Sequence, residues 1–375
     1  MKTNNLWTRV LCLLMALCTL CVLIASCTDK TEEGLTPNAG SDDQADLPET
    51  EAGAPTDEEG FLLLESIPEG FTIDGEFTIL GWGDGKQHYR DEQSDDVVGN
   101  AIYRRSMAVE DRLGVDLQWS FSPGNWDKKH EYIQKVKSTS EGGQAYDALV
   151  CYNLVPYALA VQGLVENLYD TDYIDLTAPW WPSVYLGQAL YNETIFGLVE
   201  SCAYPTLRQM TGVFFNNDLI EDKKLKSPYD MVAANEWTLE NMMAMVKGTY
   251  EDRNHDGKED VGDFYGVSTG NAAQIDSWFY GAGYRWSDFD GDGNLTLLAS
   301  DPSIIEFTGR MAEAFQQQDF YPVDSKHGNL FKEARAVLYL GCVSLTETTL
   351  KDQGIPYGIA PIPKGSADQD RKSVV

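Results

Sequence analysis

The chain has 375 residues and carries 28 Lys and Arg against 59 Asp and Glu, which gives a formal net charge of −31 at pH 7. Hydrophobic residues make up 43% of the chain and aromatic residues 11%, enough apolar material for a globular body of two lobes or domains. Because binding to phosphates needs clustered Lys and Arg, this charge excludes nucleic acid and anionic membrane surfaces as main partners.

The first 27 residues have the layout of an export signal. Lys2 and Arg9 are the only charged residues before an almost wholly apolar run over 10–25. This run is too short for a comfortable transmembrane helix. We therefore predict a signal peptide over 1–26. The segment Ile24-Ala25-Ser26-Cys27 resembles the lipobox of bacterial lipoproteins, and this resemblance implies a lipid on Cys27; an ordinary secretory signal with a stray cysteine is the alternative.

A strongly acidic tract follows the signal. Residues 28–60 contain eleven Asp or Glu and the single basic residue Lys30, together with several Pro, Gly, Ser and Thr. Such a tract cannot bury enough apolar surface to offset the entropy lost on ordering. We predict a disordered acidic tether over 27–60.

Three cysteines remain beyond the tether. Cys151, Cys202 and Cys342 are far apart in sequence, so they form neither a disulfide framework nor a metal-finger spacing. We predict buried, small hydrophobic side chains, of which one pair at most can form a bridge.

The body of the chain alternates predicted strands and helices. Strands are predicted at 77–82, 115–121, 146–151, 212–216, 336–340 and 357–360, with helices at 100–113 and 128–138 and a third that Thr238 caps. Gly114 is predicted to end the first helix. This alternation predicts an α/β protein of two lobes, with parallel sheets covered by helices.

A series of short segments in this part of the chain resembles segments of a known protein family. They are Gly81-Trp82-Gly83-Asp84, Tyr146-Asp147-Ala148-Leu149, Gly163 to Leu168, Ala203-Tyr204-Pro205, Gly212 to Asn217, and Tyr357 to Lys364. In order and spacing they resemble the family 1 extracellular solute-binding proteins of carbohydrate ATP-binding-cassette (ABC) importers, the family of maltose-binding protein.

The resemblance implies a fold and a function. The fold would be a hinged, two-lobed, type II periplasmic-binding-protein fold, with parallel-rich sheets flanked by helices. The first lobe would cover 61–213 and the second 214–375. The protein would be a monomer that binds a sugar without catalysis and delivers it to a membrane permease, anchored by lipid at the extracellular face of the bacterial cytoplasmic membrane. Members of this family continue beyond the position of Val375, so the second lobe would be incomplete at its C-terminus.

Candidate ligand-binding residues follow predicted strands or match the family's landmarks. Sugar sites combine aromatic platforms with polar hydrogen-bonding groups, and ligands of parallel sheets bind beyond the carboxyl ends of the strands. The strand ends and the resemblance together indicate Trp82, Asp84, Tyr152 and Asn153. The resemblance alone indicates Gln209, Trp278 and Tyr284. The alternative for the aromatic residues is simple packing of a lobe.

The segment 252–263 has the spacing of a calcium-binding loop. Oxygen donors stand at positions 1, 3, 5, 7, 9 and 12, with a glycine, Gly257, at position 6 for the turn. The predicted ligands are Asp252, Asn254, Asp256, the Lys258 carbonyl, Asp260 and Asp263. We predict bound Ca²⁺ as a structural clip. A second acidic cluster at 288–294 begins similarly but has Ala299 at the twelfth position. It is predicted to be a hairpin turn, with a second metal site as the alternative.

No sequence pattern indicates an enzyme. The chain has no Gly-rich phosphate loop, no nucleophile elbow and no paired Cys and His cluster. Its carboxylates are too abundant for one pair to be singled out as a glycosidase acid and base. We predict a sugar receptor without catalysis; the alternatives are a surface-anchored glycan-processing enzyme and a receptor of the same fold for a non-sugar solute.

Overall fold

The computed structural model describes residues 67–369, apart from 69, 74, 84, 125, 170, 201–202, 271, 291–292 and 322–327. The predicted signal peptide, Cys27 and the acidic tether lie outside the described residues. Within the part of the chain that the structure describes, no helix is long and apolar enough to cross a membrane.

The first sheet has three parallel strands in the order β2-β1-β3. The strands are β1 (Gly75–Trp82), β2 (Val115–Ser122) and β3 (Ala148–Val150). Four helices accompany them: α1 (Val97–Leu113), α2 (Lys129–Glu141), α3 (Leu154–Ala160) and α4 (Ser183–Ala189). Helix α1 begins where the Asp96 carboxylate accepts the Gly99 N–H (2.7 Å) and ends at Gly114, whose φ of 64° confirms the predicted cap.

A small core lies between this sheet and its helices. Its buried members are Leu80, Trp82, Tyr132, Val136, Val155 and Leu159. The Tyr132 hydroxyl donates a hydrogen bond to the Leu80 carbonyl (2.7 Å). Helix α2 is thereby tied to the centre of β1.

The second sheet has five strands in the order β10-β4-β9-β5-β8. The strands are β4 (Thr211–Asn216), β5 (Tyr265–Thr269), β8 (Phe320–Tyr321), β9 (Ala336–Cys342) and β10 (Tyr357–Ala360). Strand β5 is parallel to β8 and β9, whereas β4 is antiparallel to β9 and β10. The separate pair β6 (Ser287–Phe289) and β7 (Leu295–Leu297) forms a hairpin, which confirms the predicted turn at 288–294.

Helices cover the second sheet around a larger core. They are α6 (Asn217–Asp222), α7 (Pro228–Ala233), α8 (Leu239–Val246), α9 (Ala272–Gly281), α10 (Pro302–Phe315) and α11 (Gly328–Lys332). The Thr238 hydroxyl accepts the Asn241 N–H (3.3 Å), which confirms Thr238 as the cap of α8. The core includes Trp237, Phe264, Trp278, Phe307 and Leu338.

The connection between the two sheets runs through helix α5 (Tyr204–Gln209). The predicted boundary after residue 213 falls inside β4, and both strands that pair with β4 belong to the second sheet. The chain has therefore crossed before Thr211. We call residues 67–200 the first lobe and residues 211–369 the second lobe. Cys151 and Cys342 are half-buried free thiols, and Cys202 lies outside the described residues.

Candidate functional site

Loops that follow strands of both sheets meet at Arg208 on α5. The Arg208 Nη1 donates to Gln87 Oε1 (2.8 Å), and its Nε donates to Glu347 Oε2 (2.8 Å). Gln87 lies shortly after β1, and Glu347 follows a 3₁₀ helix (Val343–Thr346) at the end of β9. Because ligands of such sheets bind beyond the carboxyl ends of the strands, this convergence locates the candidate site between the two lobes.

Tyr204 completes this polar group. Its hydroxyl donates to the same Glu347 Oε2 (3.0 Å), and its ring lies 5.6 Å from the Arg208 guanidinium carbon. Burial and then the hydrogen bond to Glu347 raise the pKa of Tyr204. The Arg208 side chain is 21% exposed and that of Glu347 is 38% exposed, so a charged pair that is partly open to water connects α5 with the second lobe.

Trp82 and Tyr152 form an aromatic pair at the ends of β1 and β3. Their ring centroids are 4.8 Å apart, and Tyr132 covers Trp82 further at 5.2 Å. Trp82 is 9% exposed, whereas Tyr152 is 45% exposed. A Cβ atom on Gly124 would lie 2.3 Å from the Trp82 ring, so only glycine lets the loop after β2 pass this close. Trp82 therefore supports the site, and Tyr152 presents the ring that a ligand can reach.

Of the three remaining candidates outside the second lobe, the structure describes Asn153 and Gln209. Asn153 Oδ1 accepts a hydrogen bond from the Tyr185 hydroxyl (2.8 Å). Gln209 is exposed at the end of α5, directly beside Arg208. Asp84 lies outside the described residues. The structure thus brings Tyr152 and Asn153 to one strand end, and Gln209 to the helix that joins the lobes.

The two second-lobe candidates lie in or against the core. Trp278 is 2% exposed and packs against Phe315 and Phe320, with centroid distances of 5.3 and 6.1 Å. Tyr284 is half-buried and stacks on Phe307 at 4.7 Å. Because neighbouring rings cover Trp278 on α9, its ring has no open face for a sugar in this structure. The sequence pattern alone does not distinguish an aromatic residue packed in a core from one that binds a sugar.

The loop at 252–263 is closed by hydrogen bonds from its own backbone. The Gly257 N–H donates to Asp252 Oδ2 (3.0 Å), and the Lys258 N–H donates to Asp256 Oδ1 (2.9 Å). Gly257 has a φ of 70°, a left-handed conformation that glycine adopts without strain. The sharp turn predicted at this glycine is confirmed.

The oxygen atoms of this loop fit a cation only in part. Asp252 Oδ1 is buried and has no hydrogen-bond partner among the described residues. Asp263 is fully buried, and its two oxygens accept from Tyr250 Oη (2.9 Å), Arg253 N (3.1 Å) and Asp260 N (3.2 Å). No group of three His, Cys, Asp or Glu side chains in the described part of the chain is gathered closely enough to hold a metal ion.

The family resemblance predicts Gln209 as a ligand-binding residue. It does not indicate the neighbouring Arg208, nor Tyr204, Gln87 and Glu347. Gln87 and Glu347 are 121 and 139 residues from Arg208 along the chain, and no local spacing connects them. The available signal was the basic residue that follows the Ala203-Tyr204-Pro205 landmark, just before the chain crosses between lobes.

Comparison with known proteins identifies the fold. No family model and no curated protein matches the sequence. An extracellular solute-binding protein from Staphylococcus aureus in complex with maltose matches with a TM-score of 0.52 and 13% identity, over 80% of this chain and 68% of that one. A cyclo/maltodextrin-binding protein complexed with maltotetraose matches with a TM-score of 0.49 and 16% identity, over 77% and 66%.

The chain spans about two thirds of the length of these structures. The Staphylococcus aureus structure and the two α/β lobes define the class: the chain has the two-lobed, type II periplasmic-binding-protein fold of the solute-binding proteins. This confirms the predicted fold class.

Proposed function

We propose that the protein is a sugar receptor of an ABC importer, which binds a sugar or oligosaccharide between its lobes without catalysis. The observation that carries this proposal is the meeting of the loops of both sheets at Arg208. The matched Staphylococcus aureus structure of the same fold is a complex with maltose. A site between two lobes suits binding by closure, because a ligand that contacts both lobes favours the closed state.

Each part of the site has a role in this proposal. The exposed ring of Tyr152, supported by Trp82, stacks on the weakly apolar face of a sugar ring. The side chains of Asn153 and Gln209 hydrogen-bond to hydroxyl groups. Arg208 holds the lobes in register through Gln87 and Glu347, and α5 is the hinge.

The cellular setting belongs to the same proposal. Lipid on Cys27 anchors the protein at the outer face of the bacterial cytoplasmic membrane, and the acidic tether over 27–60 keeps the lobes away from that surface. The closed receptor delivers its sugar to a membrane permease. The charge pattern of the first 60 residues and the Ile24-Ala25-Ser26-Cys27 segment support this setting.

A panel of saccharides tests the proposed function. Purified protein is titrated with glucose, maltose, maltotriose and maltotetraose by calorimetry and thermal shift, and the sugars are then analysed for products. We expect saturable binding of at least one sugar at one site, with the sugar recovered intact. Tyr152→Ala should weaken this binding. Tyr173→Ala, at a ring that is 47% exposed and packs at a tilt against Phe71, is the matched control. No binding of any saccharide contradicts the proposal.

A second candidate is a receptor for a charged solute. The Arg208–Glu347 pair at the base of the site favours it, because a charged ligand exchanges contacts with such a pair more readily than a neutral sugar does. A mixture of short charged peptides, added to the same titration, separates the two. Binding of peptides with no binding of sugars selects this candidate, and release of cleaved saccharide selects a glycan-processing enzyme.

We also propose that the loop at 252–263 binds Ca²⁺ as a structural clip. The proposed ligands are Asp252, Asn254, Asp256, the Lys258 carbonyl, Asp260 and Asp263. The partnerless buried oxygen of Asp252 supports the proposal. Ca²⁺ should raise the melting temperature of the wild type and leave Asp252→Asn unchanged, with Asp288→Asn as the control in the other acidic segment. An equal effect of Ca²⁺ on both variants contradicts the site.

A further inference from the structure

Two exposed turns, one from each lobe, meet through a pair of aromatic rings. Tyr191 of the first lobe stacks on Phe289 of the second, with ring centroids 5.3 Å apart and an angle of 19° between the rings. Beside them, a Cβ atom on Gly293 would come within 3.8 Å of Asn192 Oδ1. None of these residues belongs to the Arg208 group, so the lobes touch at a second, separate place.

The first-lobe turn is held in one conformation. Tyr191 and Thr194 exchange both backbone hydrogen bonds (3.1 and 3.0 Å). Asn192 and Glu193 between them have φ values of 46° and 55°, as in the tight turns that suit a hairpin. Asn167 braces the turn: its side-chain N–H donates to the Glu193 carbonyl (2.8 Å), and its Oδ1 accepts the Ile195 N–H (2.9 Å).

The positive φ of Glu193 is informative, because residues other than Gly and Asn seldom adopt it. Such a conformation persists only where the surrounding structure holds it. The turn thus keeps the Tyr191 ring, which is 42% exposed, pointing at the second lobe.

The second-lobe hairpin is equally well anchored. The Asn294 N–H donates to Asp290 Oδ1 (2.8 Å) and closes the turn between β6 and β7. At the base of the hairpin, Trp286 stacks on Phe279 of α9 at 4.2 Å and 12°. The hairpin that carries Phe289 is therefore attached to the body of its own lobe.

We propose that the arrangement of the lobes described here is the closed one, and that Tyr191 and Phe289 form a clasp that stabilises it and thereby raises the affinity for the ligand. This inference rests on the proposed function. Two pre-ordered rings lose little conformational freedom when they stack, so their contact favours closure. A contact that is made only on closure shifts the population toward the state that holds the ligand.

Two readouts on one set of variants test the clasp. The radius of gyration of the ligand-free protein is measured by small-angle X-ray scattering, and the dissociation constant of the best-binding saccharide by calorimetry. Tyr191→Ala and Phe289→Ala should each increase the radius of gyration and weaken binding by about three- to tenfold, the range of an aromatic pair. The double variant should be no weaker than either single one, because both remove the same contact.

The controls separate stacking from other effects. Tyr191→Phe keeps the ring and should behave as the wild type. So should Tyr173→Ala, which removes an exposed ring that packs against Phe71 within the first lobe. Weaker binding by Tyr191→Phe, or losses that add in the double variant, would overturn the clasp and assign Tyr191 to direct contact with the ligand.

The scattering measurement also distinguishes a failure of the clasp from a failure of the proposed function. A larger radius of gyration in both alanine variants supports the clasp even where no saccharide binds, a result that contradicts the proposed function alone. An unchanged radius of gyration and unchanged affinity in both alanine variants would overturn the clasp and leave the proposed function standing.

Discussion

The sheets of the two lobes share one arrangement of three strands, but the sheet of the second lobe has two more strands. Three parallel strands have the order β2-β1-β3 in the first sheet and β8-β5-β9 in the second, with the earliest strand central in both. In the second sheet, β4 and β10 continue beyond β9. Among the described residues, no strand continues the first sheet beyond β3.

This difference bears on stability. An edge strand exposes backbone N–H and C=O groups on one side, and β3 has only three residues. Strand β9, by contrast, is paired on both sides and almost entirely buried. The second lobe is thus expected to be the stable half of the molecule, and the first lobe the half that opens more readily.

The largest expected effect is in the core of the second lobe. Trp237 is fully buried and its indole N–H donates to the Pro361 carbonyl (2.7 Å). Trp237→Ala should lower the free energy of unfolding by about 4 kcal/mol, measured by urea denaturation. The control Trp126→Ala, at a site 60% exposed, should cost less than about 0.5 kcal/mol. Equal losses in the two variants would contradict the assigned core.

A smaller effect is expected in the core of the first lobe. Tyr132→Phe removes the hydroxyl that bonds to the Leu80 carbonyl and leaves that buried acceptor without this donor. The loss in unfolding free energy should be about 1–2 kcal/mol. Hydrogen exchange should show it as faster exchange in β1 with no change in β5. Faster exchange in both sheets would mean that the lobes do not unfold separately.

The smallest change in unfolding free energy is expected next to the edge strand β3, and it depends on pH. The Asp147 carboxylate, just before β3, accepts from the Thr78 N–H and hydroxyl (both 2.7 Å), and these bonds lower its pKa. A lowered pKa in the folded state gives stability that is present above the unfolded value, about 4, and is lost as the pH falls through the folded value.

Asp147→Asn should therefore cost less than about 1 kcal/mol at neutral pH, because the site is exposed. The difference from the wild type should vanish once the pH falls below the lowered pKa of Asp147 in the folded state. Urea denaturation at a series of pH values measures it, with the exposed Asp116→Asn of β2 as the control. A difference that stays constant down to the lowest pH would show that the hydrogen bonds to Thr78 do not depend on the charge.

Local signals in the sequence predicted the fold well and the site less well. Gly114 and Thr238 end and begin helices as predicted, because capping depends on one residue and its near neighbours. Trp82 and Trp278 were both predicted to face a ligand, yet both are buried, since large aromatic side chains serve cores as readily as platforms. The Arg208 contacts join residues over 100 positions apart, which only the folded chain brings together.

The central claim is that a ligand binds between loops of both lobes around Arg208. Hydrogen–deuterium exchange with and without saturating maltotriose tests it most directly, in peptides that cover 82–90 of the first lobe and 343–350 of the second. We expect the backbone amides of both peptides to exchange more slowly when the sugar is present. Protection confined to one lobe, or no protection in either peptide, would contradict it.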